Sequence, residues 1–192
     1  MKQFIESFTS QLATAIEIAD NAKITPSKKT IRNIVVTGLG GSAFGGEIVK
    51  AYIAGKARVP FFISREYDIP KYVGKNTLLL ACSYSGNTEE TLSAFQMAEA
   101  QGAEIVCITS GGTLKKWAEE KGKNLIVIPG GYPPRAAAGL AVVQQLRVLH
   151  AYKLIPDYRK DLGVAVKTLT DFNDHEKALK LAKTMKGKFL FV

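Results

Sequence analysis

Ser83, Ser85 and Thr88 bring three hydroxyl groups close together around one glycine, Gly86. They lie in Ala81-Cys82-Ser83-Tyr84-Ser85-Gly86-Asn87-Thr88-Glu89-Glu90-Thr91. The apolar run Thr77-Leu78-Leu79-Leu80 precedes this stretch and an amphipathic segment, 92–100, follows it. The order predicts the end of a buried strand, a tight turn and the first turn of a helix. A helix start leaves backbone N–H groups without intrahelical acceptors, and the partial positive charge there favours an anion. Phosphate is the common occupant of such a place. Gly86 lets the chain turn and approach a ligand without a Cβ in the way. The turn has no lysine, and the G-x-x-x-x-G-K-[ST] pattern is absent, which favours a small phosphomonoester over a triphosphate. The same residues also admit a ligand-free reading. Ser, Asn and Thr are ordinary turn residues, and Asn87 with Glu90 resembles a capping box. Glu89 and Glu90 complement the helix dipole and must point away from any bound phosphate.

Two further stretches carry candidate chemistry. Gly38-Leu39-Gly40-Gly41-Ser42-Ala43 fits G-x-G-x-x-A, so a dinucleotide site is one possibility; its ribose-binding acid would be Glu66, later than the usual spacing. The Gly41 N–H and the Ser42 hydroxyl suit a single phosphate or a sugar hydroxyl equally well. Arg135, in Tyr132-Pro133-Pro134-Arg135-Ala136-Ala137, is predicted at a helix start, where a cation is disfavoured. A guanidinium held there suits an anionic ligand or a developing oxyanion. The alternative is a surface arginine paired with a distant carboxylate.

The elements that must position these residues follow from the hydrophobic pattern. Helical spacing runs over 2–23 and a solvated linker over 25–29. Short apolar strands are predicted at 34–37, 60–63, 77–82, 104–109 and 124–128. Helices are predicted at 43–54, after the 83–91 stretch as far as Ala100, and at 114–121. Continuously apolar strands alternating with helices imply a parallel sheet covered on both faces. Such sheets bind ligands at the carboxyl ends of their strands. A long helix is expected over 136–154. It is apolar almost all round, which predicts a partner subunit or another domain on the face its own sheet does not cover. Two more helices are expected over 156–186, ended by Gly187. Residues 188–192 read as the opening of a buried strand, and so as the start of a second, missing α/β unit. The expected layout is an N-terminal helix and linker over 1–30, an α/β domain over 31–155 and a helical connector over 156–192.

Composition narrows the class. The 192 residues are 46% hydrophobic and 22% charged, ordinary for a soluble globular protein. No apolar run approaches the roughly 20 residues that span a bilayer, and the N-terminus lacks the apolar core of a signal peptide. Cys82 and Cys107 are expected to be free thiols in a reducing cytoplasm. No Cys/His spacing points to a metal, and His150 and His175 are too far apart in sequence to form one site. The net charge of +9 is spread along the chain, without a basic run interleaved with aromatics. That argues against nucleic acid and for attraction of anionic metabolites.

Taken in order, Gly38-Leu39-Gly40-Gly41-Ser42, the 83–91 stretch and Tyr132-Pro133-Pro134-Arg135-Ala136-Ala137 resemble the sugar isomerase (SIS) domain. The Pro-Pro-Arg-Ala element is similar to the N-terminal half of the bifunctional phosphoglucose/phosphomannose isomerase family. The resemblance implies a three-layer αβα sandwich around a five-stranded parallel sheet, with an N-terminal helix and a C-terminal helical extension. It implies interconversion of glucose 6-phosphate or mannose 6-phosphate with fructose 6-phosphate, by a homodimer, without metal or organic cofactor. It further implies that Ser83, Ser85 and Thr88 hold the phosphate and that Gly41 and Ser42 contact the sugar. Arg135 would stabilise the cis-enediolate. The family's general base, a Glu, and its ring-opening His belong to a second domain, so Glu47, Glu66, Glu89 and Glu90 are assigned neither role. A non-catalytic phosphosugar-binding regulator is the alternative within the same domain type. No helix-turn-helix segment precedes Val35, which argues against a transcriptional regulator.

Overall fold

Runs of β-branched and aliphatic residues form the centre of the molecule. The computed structural model describes residues 1–172 and 174–189. Five strands, β1 (Asn33–Thr37), β2 (Phe61–Ser64), β3 (Thr77–Cys82), β4 (Glu104–Thr109) and β5 (Asn124–Val127), pair in the order β2-β1-β3-β4-β5. Every pairing is parallel. All six residues of β3 are buried, as a central strand covered on both faces requires.

The chain winds outward from β1 to β2, then back past β1 to β3 and on to β5. This reversal places a topological switch point at the carboxyl ends of β1 and β3, where open α/β sheets form ligand crevices. The register aligns those ends: Thr37 pairs with Ala81, Cys82 with Ile108, and Thr109 with Val127. The turns that follow β1, β3 and β4 therefore leave one edge of the sheet.

Helices α4 (Glu89–Ala100) and α5 (Gly112–Glu120) cover one face. Val35, Leu79, Ile105 and Cys107 pack there with Phe95 and Leu114, and Phe95 meets the Trp117 ring at 5.7 Å between centroids. The other face carries α3 (Gly41–Ile53) and α6 (Ala138–Ala151). Gly46 lets α3 approach so closely that an added Cβ would lie 3.4 Å from Ile63 Cδ1 and 3.5 Å from Val36 Cγ1. Val35 and Val36 thus serve opposite faces, as the two-residue strand period dictates.

The outer side of α6 is covered from within the chain, by α2 (Phe8–Asn21), rather than by a partner. A Cβ at Gly139 would lie 3.0 Å from Leu12 Cδ2 and 3.0 Å from Phe8 Cε2. Gln144 Nε2 donates to Ala15 O at 2.8 Å, and Arg147 Nε donates to Ala19 O at 2.8 Å. The apolar girdle of α6 needs no second subunit to be buried. The N-terminal helix is also in two pieces, α1 (Lys2–Glu6) and α2, divided at Ser7.

The predicted helix over 136–154 is shorter and begins differently. A 3-10 turn, Pro134–Ala136, precedes α6, closed by Ala136 N–H to Pro133 O at 2.7 Å and Ala137 N–H to Pro134 O at 3.2 Å. Arg135 lies in that turn and not in the α-helix. At the other end Leu154 N–H reaches Leu149 O and Lys153 N–H reaches His150 O, the double bond of a Schellman cap. Lys153 takes the left-handed conformation there, at φ 57°, where sequence usually offers glycine.

Residues from Arg159 onward form a separate unit with two helices, α7 (Arg159–Asp171) and α8 (His175–Met185). Gly187 follows α8 at φ 75°, the expected helix stop. Of the terminal strand expected over 188–192, residues 190–192 lie outside those described.

Candidate functional site

The turn after β3 is built from its own hydroxyls. Ser83 is 2% exposed, and its N–H extends the sheet by donating to Ile108 O at 3.1 Å. Its Oγ accepts the Gly86 N–H at 3.0 Å and lies 2.8 Å from Thr88 Oγ1. Ser85 is exposed, and its Oγ accepts the Asn87 N–H at 3.2 Å. Thr88 is the N-cap residue of α4 but makes no side-chain cap bond. The first amides of α4 consequently have no intrahelical acceptor and face the turn's mouth with the positive end of the helix dipole.

A second turn locks the first. Gly86 stands at φ 74°, and an added Cβ would lie 1.8 Å from Gly111 O. Gly112, at φ 68°, also lies close to the Ser85 carbonyl, which a Cβ would meet at 2.4 Å. Tyr84 O accepts both the N–H and the hydroxyl of Ser110, at 3.1 and 2.6 Å, and Leu114 N–H donates to Gly86 O at 2.9 Å. Asn87 does not cap its own helix. Its Oδ1 accepts the N–H and hydroxyl of Thr113 on α5, so the capping-box alternative is replaced by a bond across two turns.

The Gly41–Ser42 turn and the Arg135 loop meet at the same edge. A Cβ at Gly41 would lie 2.4 Å from Pro134 O and 3.4 Å from Arg135 Cα. Only glycine allows this approach. Gly41, Ser42, Cys82, Tyr84, Ile128 and Pro134 line one small cleft, which draws on all three sequence motifs. The Ser42 residue opens α3 there. Arg135 is exposed, and among the described residues its guanidinium has no hydrogen bond or ion pair. The distant carboxylate that would make it an ordinary surface arginine is not found among them.

The neighbouring carboxylates are otherwise engaged. Glu89 Oε2 accepts the Tyr67 hydroxyl at 3.0 Å, which raises the Tyr67 pKa; the charges of Glu90 and Glu89 add to the effect. Glu47 pairs with Arg65. Both cysteines are buried and free. Burial pushes the Cys82 thiol well above its ordinary range and Cys107 up to about 12, so neither is a thiolate nucleophile near neutral pH. His150 packs its ring against Tyr158 at 5.9 Å, away from the strand-end turns.

Sequence reasoning missed Tyr84, Gln11 and Phe4. Tyr84 OH donates to Pro129 O at 2.9 Å and accepts the Tyr132 N–H at 2.9 Å. Gln11 Nε2 donates to Ala136 O at 2.7 Å. The Phe4 ring meets that of Tyr132 at 5.6 Å. Tyr84 lies between two candidate hydroxyl residues and itself carries no anion-binding signal, and the other two lie more than a hundred residues from the loop they touch, so no local signal marks them.

Known proteins resemble this chain in sequence and in fold. The SIS domain model matches residues 29–152. A bifunctional phosphoglucose/phosphomannose isomerase of Caldicellulosiruptor bescii is 40% identical over 177 residues, 92% of this chain and 52% of that protein. The protein of the same name from Thermoplasma acidophilum is 47% identical over 110 residues, 57% of this chain and 33% of that one. The chain spans about half the length of the Caldicellulosiruptor relative. Among solved structures, the C-terminal domain of glucosamine-fructose-6-phosphate aminotransferase from Francisella tularensis superposes with a TM-score of 0.63 at 17% identity, covering 89% of this chain and 52% of that one. This likeness concerns the fold.

Proposed function

The chain belongs to the SIS-domain family, and from that premise we propose that it is the phosphosugar-binding part of an aldose–ketose isomerase acting on hexose 6-phosphates. The substrates of this reading are glucose 6-phosphate or mannose 6-phosphate, converted to fructose 6-phosphate. One observation supports it: Cys82 and Tyr84, which flank Ser83 in the β3 turn, line one small cleft with Gly41, Ser42 and Pro134, the neighbour of Arg135, whose guanidinium is unpaired among the described residues.

The phosphate takes the mouth of the 83–88 turn. There the α4 amides supply N–H donors and the helix dipole supplies positive potential. Ser85 and Thr88 donate hydroxyls. Ser83 acts from beneath, since its buried Oγ orients Thr88 Oγ1 and the Gly86 amide. Gly41 and Ser42 meet the sugar. Arg135 stabilises the negative charge that develops on the C1 and C2 oxygens as a proton moves between those carbons. A fixed cation is worth most where charge appears in the transition state. Proton transfer also needs a base of near-neutral pKa. Glu47 and Glu89 are held by Arg65 and Tyr67, and neither is assigned that role.

The reading takes no metal or organic cofactor, and places the protein in the cytoplasm as a homodimer. Residues 31–155 form the phosphosugar domain, with 1–30 as its N-terminal helix and linker and 156–192 as a connector. A thermal-shift screen tests the assignment, since a ligand that binds only the folded chain raises its stability by RT ln(1 + [L]/Kd). Fructose 6-phosphate is expected to raise Tm and NAD to leave it unchanged; the reverse pattern would return the Gly38–Ala43 motif to a dinucleotide role.

A further inference from the structure

Among the described residues nothing anchors the Arg135 guanidinium, so its place is set by the backbone of the 129–137 loop. Side chains from elsewhere hold that loop. From the β3 turn, the Tyr84 hydroxyl bridges Pro129 O and the Tyr132 N–H, both at 2.9 Å. From α2, Gln11 Nε2 holds Ala136 O at 2.7 Å, one residue beyond Arg135. Gln11 is 2% exposed and its Oε1 has no hydrogen-bond partner among the described residues. A buried amide with half its capacity unmet costs stability, so stability alone does not account for it.

We propose that Tyr84 and Gln11 are positioning residues for Arg135, holding its loop at a set distance from the turn that takes the phosphate. The proposal rests on the phosphosugar reading above. Tyr84 has its backbone between Ser83 and Ser85 and its hydroxyl on the arginine loop, so it ties the two halves of the cleft together. Gln11 closes the loop from the opposite side. A cation that serves developing charge must be preorganised, because small misplacements forfeit most of its effect.

The test compares two ligands by calorimetry on the 192-residue chain. One is fructose 6-phosphate. The other is a five-carbon aldonate 5-phosphate, whose carboxylate stands where enediolate charge would develop. Their affinity ratio reads Arg135. The wild type favours the aldonate, and Arg135→Met removes the preference and sets the scale. Tyr84→Phe keeps the ring and loses both hydrogen bonds; Gln11→Met keeps the volume and loses the donor. Each is expected to cut the preference about fivefold while fructose 6-phosphate affinity stays within about twofold. In the Arg135→Met background neither changes the ratio further, as coupled residues require.

The positioning role is overturned if both variants keep the wild-type preference that Arg135→Met abolishes. It is also overturned if they weaken both ligands equally, the mark of plain structural support. Should Tyr84→Phe fail to fold, Gln11→Met decides alone by the same ratio. A wild-type chain that binds neither ligand overturns the phosphosugar reading itself, a result distinct from either of these.

Discussion

Asn87 Oδ1 accepts both the backbone N–H and the hydroxyl of Thr113, at 2.9 and 3.0 Å. A residue of the turn after β3 thereby caps the helix that follows β4. The helix α5 has no cap from its own N-cap residue, Gly111. Loss of a capping acceptor costs about 0.5–2 kcal/mol. Asn87→Ala is therefore expected to destabilise the domain by roughly 1 kcal/mol, measured by urea unfolding. Asn87→Asp, which keeps the acceptor, should stay near wild type. Equal losses in both variants would show that the bond to Thr113 is not what the residue supplies.

Gly86 is the least replaceable residue of the turn. An alanine Cβ would stand 1.8 Å from the Gly111 carbonyl, at a φ of 74° that side chains avoid. Strain and overlap together predict a loss of more than about 2 kcal/mol for Gly86→Ala. Gly102, also at positive φ but with open space around it, should lose only about 1 kcal/mol as alanine. Denaturation midpoints of the two variants separate the terms.

Both cysteines should be silent to thiol reagents. Cys107, raised to about 12 by burial, and Cys82, raised further, hold negligible thiolate at pH 8. Alkylation of the native chain at pH 8 is expected to be undetectable and to become stoichiometric in denaturant. Fast labelling of either cysteine in the folded chain would contradict the burial described.

Glu99 accepts Lys121 at 2.6 Å and pairs with Lys123 at 3.2 Å. The hydrogen bond from Lys121 is the largest cause lowering its pKa below the ordinary 4.5. A depressed carboxylate contributes stability above its unfolded pKa and loses it as pH falls through the folded one. Glu99→Gln should cost under about 1 kcal/mol at pH 7, as partly exposed ion pairs do. The gap from wild type should begin to narrow as pH falls below about 4.5 and go on closing as Glu99 itself is protonated. Melting curves at pH 7 and pH 4 check the sign.

The α/β architecture was legible because its signals are local. β3 and β4 begin and end where the sequence predicts, since each is a continuous apolar run cut off by a Ser- or Gly-bearing turn. The three motifs fell on one edge because a parallel sheet sends every strand end the same way. What escaped was non-local or degenerate. The cover over α6 comes from Leu12, Ala15 and Ala19, on a helix well over a hundred residues earlier in the chain. The end of α6 rests on Lys153 in a conformation that sequence assigns to glycine. Asn87 reads as a capping-box residue with Glu90, and only the pairing of β3 with β4 brings Thr113 to its Oδ1 instead. Tyr84 gives no local signal in sequence, yet its hydroxyl joins two of the three motifs.

The central claim is that the 83–88 turn receives the phosphate of a hexose 6-phosphate. Calorimetric titration of fructose 6-phosphate into the wild-type chain, Ser85→Ala and Thr88→Ala tests it most directly. Each substitution is expected to weaken binding by about 1–3 kcal/mol, the range for a lost hydrogen bond to a charged group, with melting temperatures near wild type. Wild-type affinity retained in both variants would contradict the claim.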